Sequence, residues 1–431
     1  MKTLPLALLL CAAALLPAAR AGEVWIAIRT DGHPGKGTRA DPYDGSTSAR
    51  MKDLFFSIPP GTTLHFAEGV YPVEPCSRYD GGGPVASGIE LKSGWKLAGA
   101  GQGRTVLQAD YTGLSTHGGR TAQFTLLQGG LVRPEGLVGC EIRSLTLDNR
   151  PGPGGANLPA PTAAATALGL NGTHCLVEDV EMIHGYGGFT AQGASATGEA
   201  FYAVIARPPG ADGIGNTVRR CRIHDVSDGK SLELLTAVAG FGETSYDNRG
   251  LLFEANTIDG LDGNGQCSTQ GINWFSASGH SALIDFRIIG NTVSHCGNLV
   301  YNDTASAPTR GLRVVGNVFR LAPDGVGVYI LGRLTDAVIS GNLFSGDGSQ
   351  GISIGQDHPA VVGLVVRDNT FYGNRGCAIN LNDNPNLSRA VVTRNAIHGT
   401  DRAGAIVHAG GPGESGTLSE NTIDAPDGTK K

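Results

Sequence analysis

From about residue 140 onward, apolar and polar residues alternate in short bursts separated by Gly, Asn and Asp, none long enough for a helix. In one clear stretch, Leu312-Arg313-Val314-Val315 has the two-residue period of a strand, and Gly316-Asn317 marks a turn. Val318-Phe319 gives a second short strand, and Gly327-Val328-Tyr329-Ile330 opens a third. The phrase recurs at Asn256, Asn291, Asn317, Asn342, Asn369, Asn395 and Asn421, at spacings of 35, 26, 25, 27, 26 and 26 residues. Two positions after each Asn stands a β-branched or aromatic residue: Ile258, Val293, Phe319, Phe344, Phe371, Ile397 and Ile423.

Self-similarity at such a period means that one supersecondary unit is stacked, each copy burying its apolar face against the next. Three short strands per unit, with Gly and Asn at the corners, describe one coil of a parallel β-helix. A leucine-rich repeat has a similar period, but its Leu-x-x-Leu-x-Leu frame is missing, and Val, Ile and Phe fill those places. The Asn residues are expected to take left-handed dihedrals and to bond their amides from coil to coil as a ladder. Upstream, Leu145, Val180 and Cys221 occupy the same slot, which predicts ten or more coils. Intervals there are 35, 41, 35 and 35 residues, and the extra length predicts loops on a binding face.

Residues 22–60 are patterned differently. Met51, Leu54, Phe55 and Ile58 have helical spacing, Ser48 or Thr47 suits an N-cap, and Pro59-Pro60-Gly61 stops the run. A helix over 48–58 is expected to cover the open end of the solenoid, where unpaired edges and core would otherwise meet water. The strands Thr63-Phe66 and Val70-Val73 follow, with the β-helix expected over 61–431.

With the capping segment, Ser93-Gly-Trp95-Lys-Leu97-Ala-Gly-Ala-Gly101 and the Asn turns, the chain resembles the right-handed parallel β-helix proteins of the pectate-lyase-like superfamily. That resemblance implies a secreted polysaccharide lyase, glycoside hydrolase, epimerase or tailspike, with chemistry on the outer face of one sheet. The Asn-Thr-Asp, Asp-Asp, Gly-His-Gly and Arg-Ile-Lys series of polygalacturonases is absent, as is the Trp-Ile-Asp-His of pectate lyases. Fold alone does not fix the reaction.

Residues 1–21 read as a secretory leader: Lys2, an apolar run from Leu4 to Leu16, then Ala19-Arg20-Ala21. Cleavage would take the formal net charge from −6 to −8, because only Lys2 and Arg20 are lost. That balance argues against nucleic acid, and no later stretch approaches a membrane span. A monomer acting on a polysaccharide or other glycan is expected. Seven cysteines remain after cleavage; Cys140 and Cys175 are expected to stack on adjacent coils, as a disulfide or as two buried thiols. No Cys-x-x-Cys or His-Glu-x-x-His spacing indicates zinc.

Alternation in the third strand of each coil places Ile272, Trp274, Leu299, Tyr301, Val328, Ile330, Ile352, Ile354, Ile379 and Leu381 inside. Asn273, Asn302, Tyr329, Ser353 and Asn380 then face out as candidate substrate-binding residues, joined by Glu233 of Leu232-Glu233-Leu234. Lys230, Asp303 and Arg333 flank this stripe, and an aromatic beside amides suits a pyranose. A second cluster, His184, His224, Asp225, Asp259 and His295, falls in the turn after the short strand; each residue is also an ordinary turn former.

Two motifs are set aside. Gly351-Ile-Ser353-Ile-Gly355 matches a nucleophile elbow in letters, but the strand pattern runs through it. Asp259-Gly-Leu-Asp262-Gly-Asn264-Gly265 lacks the acidic offsets of a calcium loop, so a metal-free turn is expected; calcium-dependent lyases in the resembled fold keep Ca2+ as the one alternative cofactor. The leading expectation is an enzyme acting on an extended polysaccharide. Elimination would use Lys230, Arg333 or calcium against a uronate, with His295 or Tyr329 as base. Hydrolysis would use a carboxylate pair from Glu233, Asp259, Asp262 and Asp303. The competing expectation is a non-catalytic glycan-binding or structural surface protein.

Overall fold

The computed structural model describes residues 22–79, 88–112, 114, 122–130, 136–150, 164–186, 200–206, 210–226, 232–239, 246–275, 281–302, 308–355, 359–381, 384–399, 406–407 and 417–424. The expected leader, residues 1–21, lies outside them. The described chain is a right-handed parallel β-helix. In the coil that begins at Thr309, Thr309–Arg310 forms a short wall. Arg313–Val315 and Val318–Leu321 form a bent long wall, and Val326–Ile330 forms the third, the site wall. The two-residue short wall is an element the repeat did not disclose.

Each strand pairs in parallel with its counterpart one coil away, so Val314 faces Ile288 and Ile339, and Val328 faces Val300 and Ile352. Identical slots therefore stack, and the core is a set of columns. Phe319, Phe344 and Phe371 form one of them, with ring centroids 5.0 and 4.7 Å apart.

The Asn ladder runs as the period predicts. Asn256 Nδ2 donates to Asn291 Oδ1 at 2.9 Å, and the same bond continues through Asn317, Asn342, Asn369, Asn395 and Asn421. The left-handed dihedral, however, belongs to the residue before each Asn: Ala255, Gly290, Gly316, Gly341, Asp368, Arg394 and Glu420. The Asn is thereby free to use its own N–H and amide along the axis; the N–H of Asn317, for example, donates to Asn342 Oδ1 at 2.9 Å. Ser144, Asp179 and Arg220 take the same conformation ahead of Leu145, Val180 and Cys221, so the coils without an Asn in the slot bend identically.

The predicted helix forms as α1 (Ser48–Ser57), capped by Thr47, whose hydroxyl accepts from the Arg50 N–H. Met51, Phe55 and Ile58 enter the main core with Leu64, Phe66, Tyr71 and Trp95. Phe55 meets Trp95 edge-on at 5.4 Å, and the indole N–H donates to the Pro59 carbonyl at 2.7 Å, which fixes where α1 stops. Glu23–Ala27 pairs with Thr63–Phe66, so the long wall already begins ahead of α1. Cys140 and Cys175 do occupy stacked slots; both are buried free thiols, and burial pushes the Cys175 thiol up to about 11. Among the described residues no helix is long and apolar enough to cross a membrane.

Candidate functional site

On the site wall, two rows of side chains face away from the core. One row is Glu233, Gln270, Asn298, Val326 and Gln350; the other is Thr236, Asn273, Tyr301, Tyr329, Ser353 and Asn380. Between the rows the strand bends, so that two successive residues face inward. Glycine permits this at 327 and 351: a Cβ at Gly327 would lie 2.6 Å from the Phe344 ring, and one at Gly351 would lie 2.6 Å from the Phe371 ring.

The bend corrects one part of the sequence reading. In Cys296–Asn302, Leu299 and Val300 both face the core, so alternation shifts by one residue. Tyr301 therefore points out, stacked in register between Asn273 and Tyr329, and Asn302 points in between Trp274 and Ile330. Asn302 is fully buried, its Nδ2 donating to the Trp274 carbonyl at 3.0 Å and its Oδ1 accepting from the Gly332 N–H at 2.9 Å. It belongs to the scaffold.

Glu233 and Asn273 are brought together. Asn273 Nδ2 donates to Glu233 Oε2 at 2.5 Å, and the Thr236 hydroxyl lies 3.5 Å from the same oxygen. All three are buried, as is Gln270, which sits directly across from Glu233 on the next coil. Because its N–H2 faces the carboxylate, Asn273 presents its Oδ1 as an acceptor. That oxygen and Gln270 Oε1 are buried without a hydrogen-bond partner. Sequence reasoning missed Gln270 and Thr236 because each lies three residues, not two, from an outward position on its own strand: Gln270 from Asn273 and Thr236 from Glu233. Tyr301 and Tyr329 continue the wall with ring centroids 5.6 Å apart, both half-buried.

The remaining candidates lie elsewhere. His295 Nδ1 is 2.7 Å from Asp259 Oδ1, in the turn that leads into the site wall. At about 3.3 Å per residue this places His295 roughly 10 Å from the Asn298 row. His295 takes a left-handed bend, as do His184 and Asp225, so these positions perform the turn-forming role. The Asp259 carboxylate also accepts from the Leu261 N–H, and Asp262 accepts from the N–H groups of Asn264 and Gln266. These carboxylates hold the turn together. His224 contacts Glu181 Oε1 and Asp225, both at 3.0 Å.

Asp148 Oδ1 meets His184 Nδ1 at 2.6 Å. Burial raises the Asp148 carboxyl, but hydrogen bonds from His184 and Gln108 outweigh it and hold the group below the usual carboxylate range. The same contact raises His184. Arg333 is exposed in the turn beyond the opposite end of the site wall, and Ser353 lies within an unbroken strand, Gln350–Ile354. Lys230 and Asp303 fall outside the described residues.

Residues 270–429 match the family described as the right handed beta helix region. Over those residues the match agrees with the right-handed parallel β-helix described above. Among solved structures, the A-module of the mannuronan C-5 epimerase AlgE6 from Azotobacter vinelandii is 16% identical, covering 88% of this chain and 95% of that one at a TM-score of 0.39. A polygalacturonase from Erwinia carotovora ssp. carotovora is 12% identical, covering 94% of each chain at a TM-score of 0.42. PfbA, a surface adhesin of Streptococcus pneumoniae, is 11% identical, covering 87% of this chain and 85% of that one at a TM-score of 0.39. No characterised protein matches the chain by sequence.

Proposed function

We propose that this chain is a secreted carbohydrate-active enzyme that holds an extended polysaccharide along the outer face of the site wall, across successive coils. The observation that supports it is the buried Glu233 carboxylate held by Asn273 at 2.5 Å, beside an outward pair of tyrosines on the same wall. A positioned carboxylate is a general acid or base, and a tyrosine ring offers a sugar an apolar face with a polar tip.

Register separates their roles. Coils are about 4.8 Å apart, so Tyr301 lies roughly 10 Å and Tyr329 roughly 14 Å along the axis from Glu233. The tyrosines therefore bind sugar units to one side of the unit that reacts. The other carboxylate among the described strands of this wall is Glu90, four coils away. That separation, roughly 19 Å, exceeds what a glycosidase pair uses. A hydrolytic partner for Glu233 would have to come from a turn, for which Asp303 is the candidate in the sequence.

That no second carboxylate lies within glycosidase range on the described strands of this wall also supports a second reading, a glycan-binding protein without turnover. Incubation with acidic and neutral polysaccharides separates the readings: elimination yields an unsaturated product absorbing in the short-wavelength ultraviolet, and hydrolysis yields new reducing ends. Binding without either product favours the second reading, and neither binding nor product rejects both.

A further inference from the structure

The second strand of the long wall sets Ser294, Arg320, Ser345, Tyr372 and His398 in one outward column, one residue per coil. Tyr372 and His398 stack with ring centroids 4.8 Å apart and planes 15° apart, so His398 supports one face of the tyrosine. On the other side of the ring stands Ser345, whose side chain is too short to cover that face, and beyond it comes Arg320. Neighbouring strands lie about 4.8 Å apart, so Arg320 and Tyr372 spring from backbones roughly 10 Å apart. The column thus holds a slot with an aromatic wall, a hydroxyl floor and a cationic wall. The slot is open to solvent: Tyr372 is 48% exposed, Arg320 is exposed and Ser345 is half-buried. Among the described residues, no side chain or carbonyl engages the Arg320 guanidinium or the Ser345 hydroxyl, and the cations seated over rings are Arg39 and Lys92. Asp347, in the corner that follows Ser345, is already paired with Arg375 at 3.0 Å.

We propose that this slot binds a carboxylate-bearing pyranose, an acidic sugar unit of a glycan, as a second site separate from the site wall. A sugar ring packed on the open face of Tyr372 at about 4 Å lies over Ser345, with Arg320 on its far side. The tyrosine ring receives the apolar face of the pyranose, and the serine hydroxyl can donate to or accept from a ring hydroxyl. The guanidinium fork takes both oxygens of a carboxylate. A neutral sugar would leave the guanidinium unused, and a small carboxylate would leave the ring unused. The formal net charge of the chain is −6, so attraction of an acidic sugar is local to the slot rather than a property of the whole surface. Glu233 takes no part, so the slot stands whether or not the site wall turns a substrate over.

The test is a ligand-observed NMR titration of the full chain with trimers of galacturonate and of glucuronate, and with trimers of galactose and of glucose as their neutral counterparts. At least one acidic trimer is expected to bind, and more tightly than its neutral counterpart. Arg320→Met, which keeps the length and removes the charge, should raise Kd for that trimer about tenfold or more, the effect of one lost hydrogen bond to a charged group. Tyr372→Ala should weaken binding likewise. Ser345→Trp fills the slot without removing either wall and should abolish it. Each variant is first shown by thermal melting to be folded, and three outward positions keep the test available should one variant fail. Tyr329→Ala reports on the site wall and should leave binding of the acidic trimer unchanged. Acidic trimers that do not bind, or whose affinity is indifferent to all three slot variants, overturn the inference. Loss of their binding in Tyr329→Ala with retention in Tyr372→Ala also overturns it, because the acidic sugar would then belong to the site wall.

Discussion

Asn317 donates its side-chain amide to Oδ1 of Asn342 at 2.9 Å, and the backbone N–H of Asn317 reaches that same oxygen at 2.9 Å. Asn342 in turn donates to Asn369 Oδ1 and to the Val314 carbonyl, both at 2.9 Å. One side chain thus satisfies groups on three coils in a dry interior. Asn342→Ala would leave the backbone N–H and one amide N–H of Asn317 unpaired and take one donor each from Asn369 Oδ1 and the Val314 carbonyl, at a cost of about 2–5 kcal/mol. Asn421→Ala, at the half-buried end of the ladder, should cost about 1 kcal/mol. Urea midpoints of the two variants check this; equal losses would mean the ladder is not cooperative.

The Asp148–His184 contact makes stability depend on pH. His184 is raised, so its contribution is complete below about pH 6.5 and is lost as the pH climbs through the raised value. Asp148 is lowered, so its contribution is complete above about pH 4 and is lost as the pH falls through the lowered value. Both are present between. Because the His184 side chain is 37% exposed, solvent screening limits the effect to at most about 1 kcal/mol. His184→Asn tolerates the left-handed backbone at this position. The melting-temperature gap between the native chain and this variant should be widest near pH 5.5 and should shrink by pH 8.5; a gap independent of pH would remove the ion pair as its cause.

The coil repeat was legible because stacking makes each slot see the same neighbours, so the chain repeats its answer at Asn317, Asn342 and Asn369. The end cap was legible for another reason: Met51, Phe55 and Ile58 share a helical face bounded by Thr47 and Pro59. What alternation could not show was the inward bend at Leu299 and Val300, which depends on how closely one coil packs against the next. That single bend exchanged Tyr301 and Asn302. Gln270 was missed because its meaning comes from Glu233 one coil away, 37 positions earlier in the chain and adjacent only once the register is known. The His and Asp residues of the turns carried a chemical signal, but their backbone conformation and cross-coil bonds account for it.

The exchange of Tyr301 and Asn302 can be checked directly. Asn302→Ala empties a fully buried site and strips the Trp274 carbonyl and the Gly332 N–H of their partner, so it should cost about 2–4 kcal/mol. Tyr301→Ala removes an outward ring that packs on Tyr329, and should change the urea midpoint much less while weakening retention of a polysaccharide that binds the native chain. If Asn302→Ala is the variant that loses binding at unchanged stability, the orientation of this strand is wrong.

Glu233 carries the decisive prediction for catalysis. Glu233→Gln keeps the shape and can still meet Asn273, but it no longer transfers a proton at neutral pH. Loss of a general acid or base should lower kcat about 10²–10⁴-fold, with KM and melting temperature close to native, since the wall beneath it is packed by Leu234, Leu235 and Ile272. Tyr329→Ala should divide the parameters the other way. On the polysaccharide reading Tyr329 would hold a sugar unit roughly 14 Å along the chain from the carboxylate, so KM for long polymers should rise while kcat on the shortest responsive oligosaccharide stays near native. His295→Ala, in the turn roughly 10 Å from the Asn298 row, should alter kcat far less than Glu233→Gln. A kcat that collapses in His295→Ala and survives in Glu233→Gln would move the reacting group off the site wall and into the turn that holds Asp259.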